Sequence, residues 1–292
     1  MQPAMPSTLP ERLKPAFAWP TLMLAAASLS VFATSTTLAA IGVLWWGVAI
    51  VLNGIAAYAA YTVVHEATHY NISARTRQLR WIDHVLGNVA GVLLVLPYYQ
   101  HRREHWRHHA ATNSPEDPDI IVRGSFASLL IVKFVLASIA GLVPSYVFLN
   151  LRRLGLDARE RLATYAFGVL HASAFAIGYM TGCLLEVLLL WYVPAMLAGL
   201  ALMVGFQWLP HHPHDATDRY HATRISLWPG AEIVLLCQNL HLVHHLMPQI
   251  PFYRYGEAFR ALLPELERND VRIEGLRPYS RSTTSAGDPL AN

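Results

Sequence analysis

The sequence predicts an all-α integral membrane protein with four transmembrane helices arranged as two hairpins. Interfacial or re-entrant helices and a cytosolic histidine-rich cap complete the expected fold. Three observations predict it. Of the 292 residues, 54% are hydrophobic and only 14% are charged, whereas soluble domains carry about 25% charge. The apolar residues gather in runs near 17–36, 38–64, 84–99, 125–150, 162–181 and 185–209, and a spanning helix needs about 20 of them. Histidine occurs 15 times, against 19 acidic residues, and it is clustered.

Each element follows in order. Residues 1–15 form a polar N-terminal segment carrying Arg12 and Lys14. With no small-residue cleavage motif after it, the first apolar run is read as a retained span. The 84–99 run is too short to cross and contains Pro97, so it is expected to be re-entrant or interfacial. Basic residues set orientation. Arg75, Arg77 and Arg80 follow the second run, Arg102, Arg103 and Arg107 the third, Arg152, Arg153, Arg159 and Arg161 the fourth, and Arg219 and Arg224 the last. The links near 35–38 and 181–185 carry neither Lys nor Arg. Both termini are therefore expected inside, with hairpins 17–36/38–64 and 162–181/185–209. Segments 84–99 and 125–150, the latter containing Pro144, are expected in the inner leaflet. One membrane domain, 16–265, is expected, followed by a disordered polar tail at 277–292. The expected location is a bacterial inner membrane with the active site on the cytosolic face. The net charge of +3 gives no case for nucleic acid, and Cys183 and Cys237 read as free thiols.

The histidines fall into four clusters: His65-Glu-Ala-Thr-His69, His101-Arg-Arg-Glu-His105-Trp-Arg-His108-His109, Pro210-His211-His212-Pro-His214, and His241-Leu-Val-His244-His245. Residues three or four apart share a helix face, so each cluster can aim its imidazoles one way. Two HxxHH tripods, one pair and one further histidine make nine imidazoles, which are too many for one ion and suit two. Every cluster also falls on the side that the arginines place inside. Pro213 breaks any helical face between His212 and His214, so at most one of them joins His211. His84, His101, His171 and His221 read as hydrogen-bonding or interfacial residues. The first cluster also fits HExxH, in which two histidines bind zinc and Glu66 is a general base. That reading leaves both HxxHH clusters unexplained. A metal transporter is disfavoured because the spans are nearly free of charge.

The boxes, in the order HxxxH, HxxHH, HxxHH, resemble those of the membrane-bound fatty acid desaturase superfamily. Within it, the run from His105 through Asn113, Asp117 and Asp119, the Leu-Pro-His at 209–211 and the run from Gln238 to Tyr255 are most similar to the desaturase-like carotenoid ring hydroxylases. The resemblance covers about residues 50–260. It implies a di-iron, O2-dependent oxidase with His65, His69, His105, His108, His109, His211, His241, His244 and His245 as ligands. Glu66 stands where the carotenoid hydroxylases commonly have Asp, and the extra histidine many of them carry after the first box is absent. Carboxylates are expected to hold the outer N–H of ligand imidazoles. The candidates are Glu66, Glu104, Asp117, Asp119 and Asp215, with Asn113 and Asn239 as further candidates. With no Gly-rich nucleotide fingerprint and no ferredoxin cysteine set, electrons must come from a separate ferredoxin-type carrier, which the arginine-rich inner face would attract. The substrate is expected to be lipid-like. Carotenoid ring hydroxylation comes first, and fatty acyl desaturation or hydroxylation is the alternative.

Overall fold

A computed structural model describes residues 8–130, 134–135 and 153–275. Among these, four helices are long and apolar enough to cross a membrane: α2 (Trp19–Ala40), α3 (Trp46–Thr68), α6 (Ala158–Thr181) and α7 (Leu184–His211). They are preceded by α1 (Leu9–Leu13), and α4 (Arg80–Leu94) and α5 (Tyr98–Ala111) lie between α3 and α6. The water-side cap holds α8 (His241–Leu246), α9 (Tyr255–Arg268) and a parallel strand pair, β1 (Ile225–Leu227) with β2 (Ile273–Gly275). The two hairpins are those expected. The first turn, however, lies at 41–45 rather than near 35–38. Ser35, Thr36 and Thr37 look like a break in sequence, but the helix absorbs them. The Ser35 hydroxyl donates to the Val31 carbonyl at 2.7 Å, four residues back. Much of the 125–150 run and Arg152, and the whole 277–292 tail, lie outside the described residues.

α3 is the central span, and α2, α4 and α7 pack on it. Its face is rich in small residues (Ala57, Ala60 and Ala67 are buried), which lets neighbouring backbones approach where water supplies no driving force. Pro194 in α7 removes the N–H that would bond the Leu190 carbonyl, four residues back. Asn53 of α3 replaces it, donating from Nδ2 to Leu190 at 2.7 Å. The same side chain donates its other amide hydrogen to Thr36 at 2.9 Å. Both donors of a buried mid-span amide are thereby used.

The 84–99 run turns back as expected: α4 and α5 meet at 99°. Val95 takes the left-handed conformation (φ 55°) and Leu96 N–H closes on the Gly91 carbonyl at 2.9 Å. Gly91 is required there, because a Cβ would sit 2.4 Å from the Leu96 oxygen. Tyr98 then donates to the Ala67 carbonyl (3.0 Å) and Trp106 to the Thr68 carbonyl (3.1 Å), pinning α5 under the end of α3.

The cap has its own core, in which Leu240, Leu242, Met247, Tyr255, Phe259 and Leu262 pack with Leu9 and Leu13 of α1. Two changes to the expected boundaries follow. Part of the polar N-terminal segment docks on the cap through α1, and the folded body runs past 265 to β2. Asn71 joins cap to membrane, donating to the Pro248 and Ile250 carbonyls at 3.0 Å each.

Candidate metal centre

Four segments bring imidazoles to one place at the water-side ends of α3 and α7. The last turn of α3 carries His65, and His69 caps it. α5 carries His105, His108 and His109, α7 ends on His211, and α8 carries His241, His244 and His245. Their metal-facing nitrogens sort into two sets of four: His65, His69, His105 and His244, then His108, His211, His241 and His245. Within each set the ligand atoms lie within 4.8 Å of one another. His109 adds a fifth nitrogen to the first set, with Nε2 3.1 Å from His105 and 2.8 Å from His244. Its ring centroid is also 4.3 Å from that of His245, so the two sets are adjacent.

The spacings test whether metal fits. In the first set, Nε2 atoms are 3.1 Å apart for His65–His244 and 2.9 Å for His69–His105. In the second they are 3.0 Å for His211–His241, 3.1 Å for His241–His245 and 3.3 Å for His108–His245. With metal–nitrogen bonds of about 2.1 Å, neighbouring ligands at right angles stand about 3.0 Å apart and tetrahedral ones about 3.4 Å. The observed edges are of the size expected for nitrogens that share one ion.

Protonation points the same way. His108 Nδ1–H donates to Asp117 at 2.9 Å, His241 Nδ1–H to Gln238 Oε1 at 3.1 Å and His244 Nδ1–H to Tyr255 Oη at 2.9 Å. These outward bonds set the tautomer, leaving a lone pair on each inward Nε2. His245 Nε2 lies between those of His108 and His241, carries at most one hydrogen and cannot satisfy both, whereas a cation satisfies all three. Burial, then the neighbouring imidazoles, hold His241, His244 and His245 well below the usual histidine range. Burial opposes charge on His108 too, but Asp119 and Asp117 outweigh it and raise that group.

The expected supporting residues separate by position. Asp117 backs His108 directly and also accepts the Asn113 and Asp119 N–H groups. Asp119 lies 3.7 Å from His108 Nδ1 and accepts from Gln207. Glu66 is fully buried, 3.5 Å from His65 Nδ1, and accepts the Phe252 N–H at 3.1 Å. It therefore stands behind His65, on the side away from the metal-facing nitrogen, where the general base of a zinc protease could not act. Asn113 and Asn239 hold loops instead: Asn113 donates to the Ala216 and Ala222 carbonyls and Asn239 to Ser226. Glu104 takes a hydrogen bond from Gln100 on its own helix. Asp215 is exposed, and among the described residues it makes no bond to a cage histidine.

The sequence reading missed Gln238 and Tyr255. Gln238 precedes His241 by three residues, a spacing that could have flagged it, whereas Tyr255 arrives from α9 and carries no local signal. The lone histidines stay outside both sets. His171 bonds the Phe167 carbonyl within α6, His221 pairs with Asp218, His84 packs against Tyr70 and Tyr99, and His101 stacks on His105. His212 lies on Trp208, and His214 stacks at 6.1 Å from His211 without joining either set.

Comparison with known proteins agrees with this geometry. The family described as Fatty acid desaturase matches residues 43–276. The chain is 24% identical over 262 residues to a Delta(12)-acyl-lipid-desaturase of Punica granatum, covering 76% of this chain and 66% of that one. It is 23% identical over 263 residues to an omega-6 fatty acid desaturase of Glycine max, with coverage of 76% and 66%. It is 28% identical over 249 residues to a dihydrorhizobitoxine desaturase of Bradyrhizobium elkanii, with coverage of 76% and 69%. The chain thus spans just under two thirds of the length of the first of these relatives. The family match takes in all nine histidines of the two sets, and the chain belongs to the fatty acid desaturase family.

Proposed function

We propose that this chain is a membrane di-iron oxidase that uses O2 to oxidise an unactivated C–H bond of a lipid-like substrate. One iron would be held by His65, His69, His105, His109 and His244, and the other by His108, His211, His241 and His245. The observation that carries this reading is the convergence of nine imidazoles, six of them buried, into two adjacent sets of closely spaced nitrogens. When bound, the iron pair supplies O2 reduction and the hydrogen abstraction that no side chain here can perform. The chain's own residues hold, orient and shield. Asp117, Gln238 and Tyr255 fix three imidazoles through their outer N–H. The apolar cores of the membrane part and of the cap cover the cage on two sides.

Fatty acyl desaturation becomes the first reading of the substrate. Relatives named as acyl-lipid and omega-6 fatty acid desaturases favour it over carotenoid ring hydroxylation, the sequence's first expectation. The electron donor is a separate ferredoxin-type carrier, and the site faces the cytosol of a bacterial inner membrane, the side on which basic residues cluster. The test is to express the full chain in a host supplied with both saturated acyl lipids and β-carotene. Purified protein should hold two irons per chain, and acyl chains should lose two hydrogens. Gain of one oxygen on the carotenoid would restore the ring-hydroxylase reading. One zinc per chain, with neither product, would sink the oxidase.

A further inference from the structure

A polar cleft of about 510 Å³ lies beside the cage, and its lining includes His109 and His245, one from each set. That volume is within the roughly 300–1,000 Å³ range of small-molecule sites. Its walls carry Thr112, Glu116, Thr217, Arg219 and Thr223. The wall is a built structure: Asn113 clamps the 216–222 loop at both ends through the Ala216 and Ala222 carbonyls, at 2.8 and 2.7 Å. Because Asn113 N–H also bonds Asp117, which backs His108, wall and cage share one network.

The hydrogen-bonding balance inside the cleft is uneven. Asp218 is engaged by His221 and by the Tyr220 N–H, and Glu116 by the Ser114 hydroxyl. Arg219 has no carboxylate partner among the described residues and stacks only loosely on Tyr220. Thr223 is 3% exposed, yet its hydroxyl has no hydrogen-bond partner among the described residues. A buried hydroxyl left unpaired costs about 1–3 kcal/mol, so a ligand that engages it gains correspondingly. A free guanidinium and a free hydroxyl in one cleft are suited to a carboxylate, for which the arginine fork is built.

We infer that the cleft receives the carboxylate of an unesterified acid arriving from water, which places that end of the substrate beside His109 and His245. The inference rests on the oxidase reading and narrows its substrate class. The acid could be a free fatty acid or a small amino acid, which share this chemistry. The test uses the full chain, iron-loaded, in nanodiscs, with direct binding of labelled decanoate, methyl decanoate and norleucine, and iron counted in the same samples. Decanoate or norleucine should bind at least tenfold more weakly to Arg219→Met and about threefold more weakly to Thr223→Val. Arg219→Lys should recover part of the loss, and methyl decanoate should not respond to residue 219. Whichever acid shows this dependence identifies the source. Equal binding of decanoate and its ester, indifference to Arg219→Met, or no binding of either acid would overturn the inference. Two irons per chain with acyl oxidation intact would then leave the oxidase standing, whereas absence of iron would count against the oxidase itself.

Discussion

At the scale of single residues, the cage is an arrangement of hydrogen-bond direction as much as of position. Each outward N–H that finds an acceptor turns the opposite nitrogen into a ligand. Asp117 is the strongest such acceptor, because it is charged, 2% exposed and bonded to His108 through both oxygens. Asp117→Asn should therefore lower metal affinity or activity by about 10–100-fold, read by iron content after dialysis against a weak chelator. Wild-type iron retention in that variant would remove Asp117 from the supporting role. The histidines that converge were legible in the sequence because clusters at three- and four-residue spacing carry their own geometry. Asp117 could only be a candidate there. Asp215, a candidate on the same grounds, is exposed and bonds none of the cage histidines among the described residues.

At the scale of elements, the bond from Asn53 to the Leu190 carbonyl explains how α7 tolerates Pro194 in a membrane. Asn53→Leu should destabilise the protein by about 1–2 kcal/mol, the range for polar contacts between membrane helices, measured by unfolding in detergent. In a Pro194→Ala background the helix regains its own donor, so the same change should cost markedly less. Equal costs in both backgrounds would show that the two residues are not coupled. The bend between α4 and α5 was expected from Pro97 and the short apolar run. Its chemistry, a left-handed Val95 over Gly91, was not, because a close backbone approach leaves no periodic signal.

At the scale of the whole molecule, the buried histidines tie stability to pH. His241, His244 and His245 resist protonation in the fold, while in the unfolded chain they take protons near the ordinary value of about 6.5. Above that pH both states are neutral and these groups contribute nothing. Below it the unfolded state binds more protons, so stability falls. Metal-free protein should hold a constant Tm from pH 8 to about 7 and lose it progressively below about 6.5, with bound metal delaying the loss. A Tm indifferent to pH down to 5.5 would contradict burial of these imidazoles.

The sequence by itself determined the membrane class, the two hairpins and the identity of the nine histidines that converge. Apolar run length, basic flanks and helical spacing are local properties, and each can be read without knowing what packs against what. Only the tertiary structure decided which imidazoles share a set, that Gln238 and Tyr255 back them while Asp215 does not, and that a polar cleft lies beside His109 and His245. The sorting into sets depends on contacts between segments more than a hundred residues apart, such as His65 with His244, and no local pattern encodes the partner of a side chain at that separation.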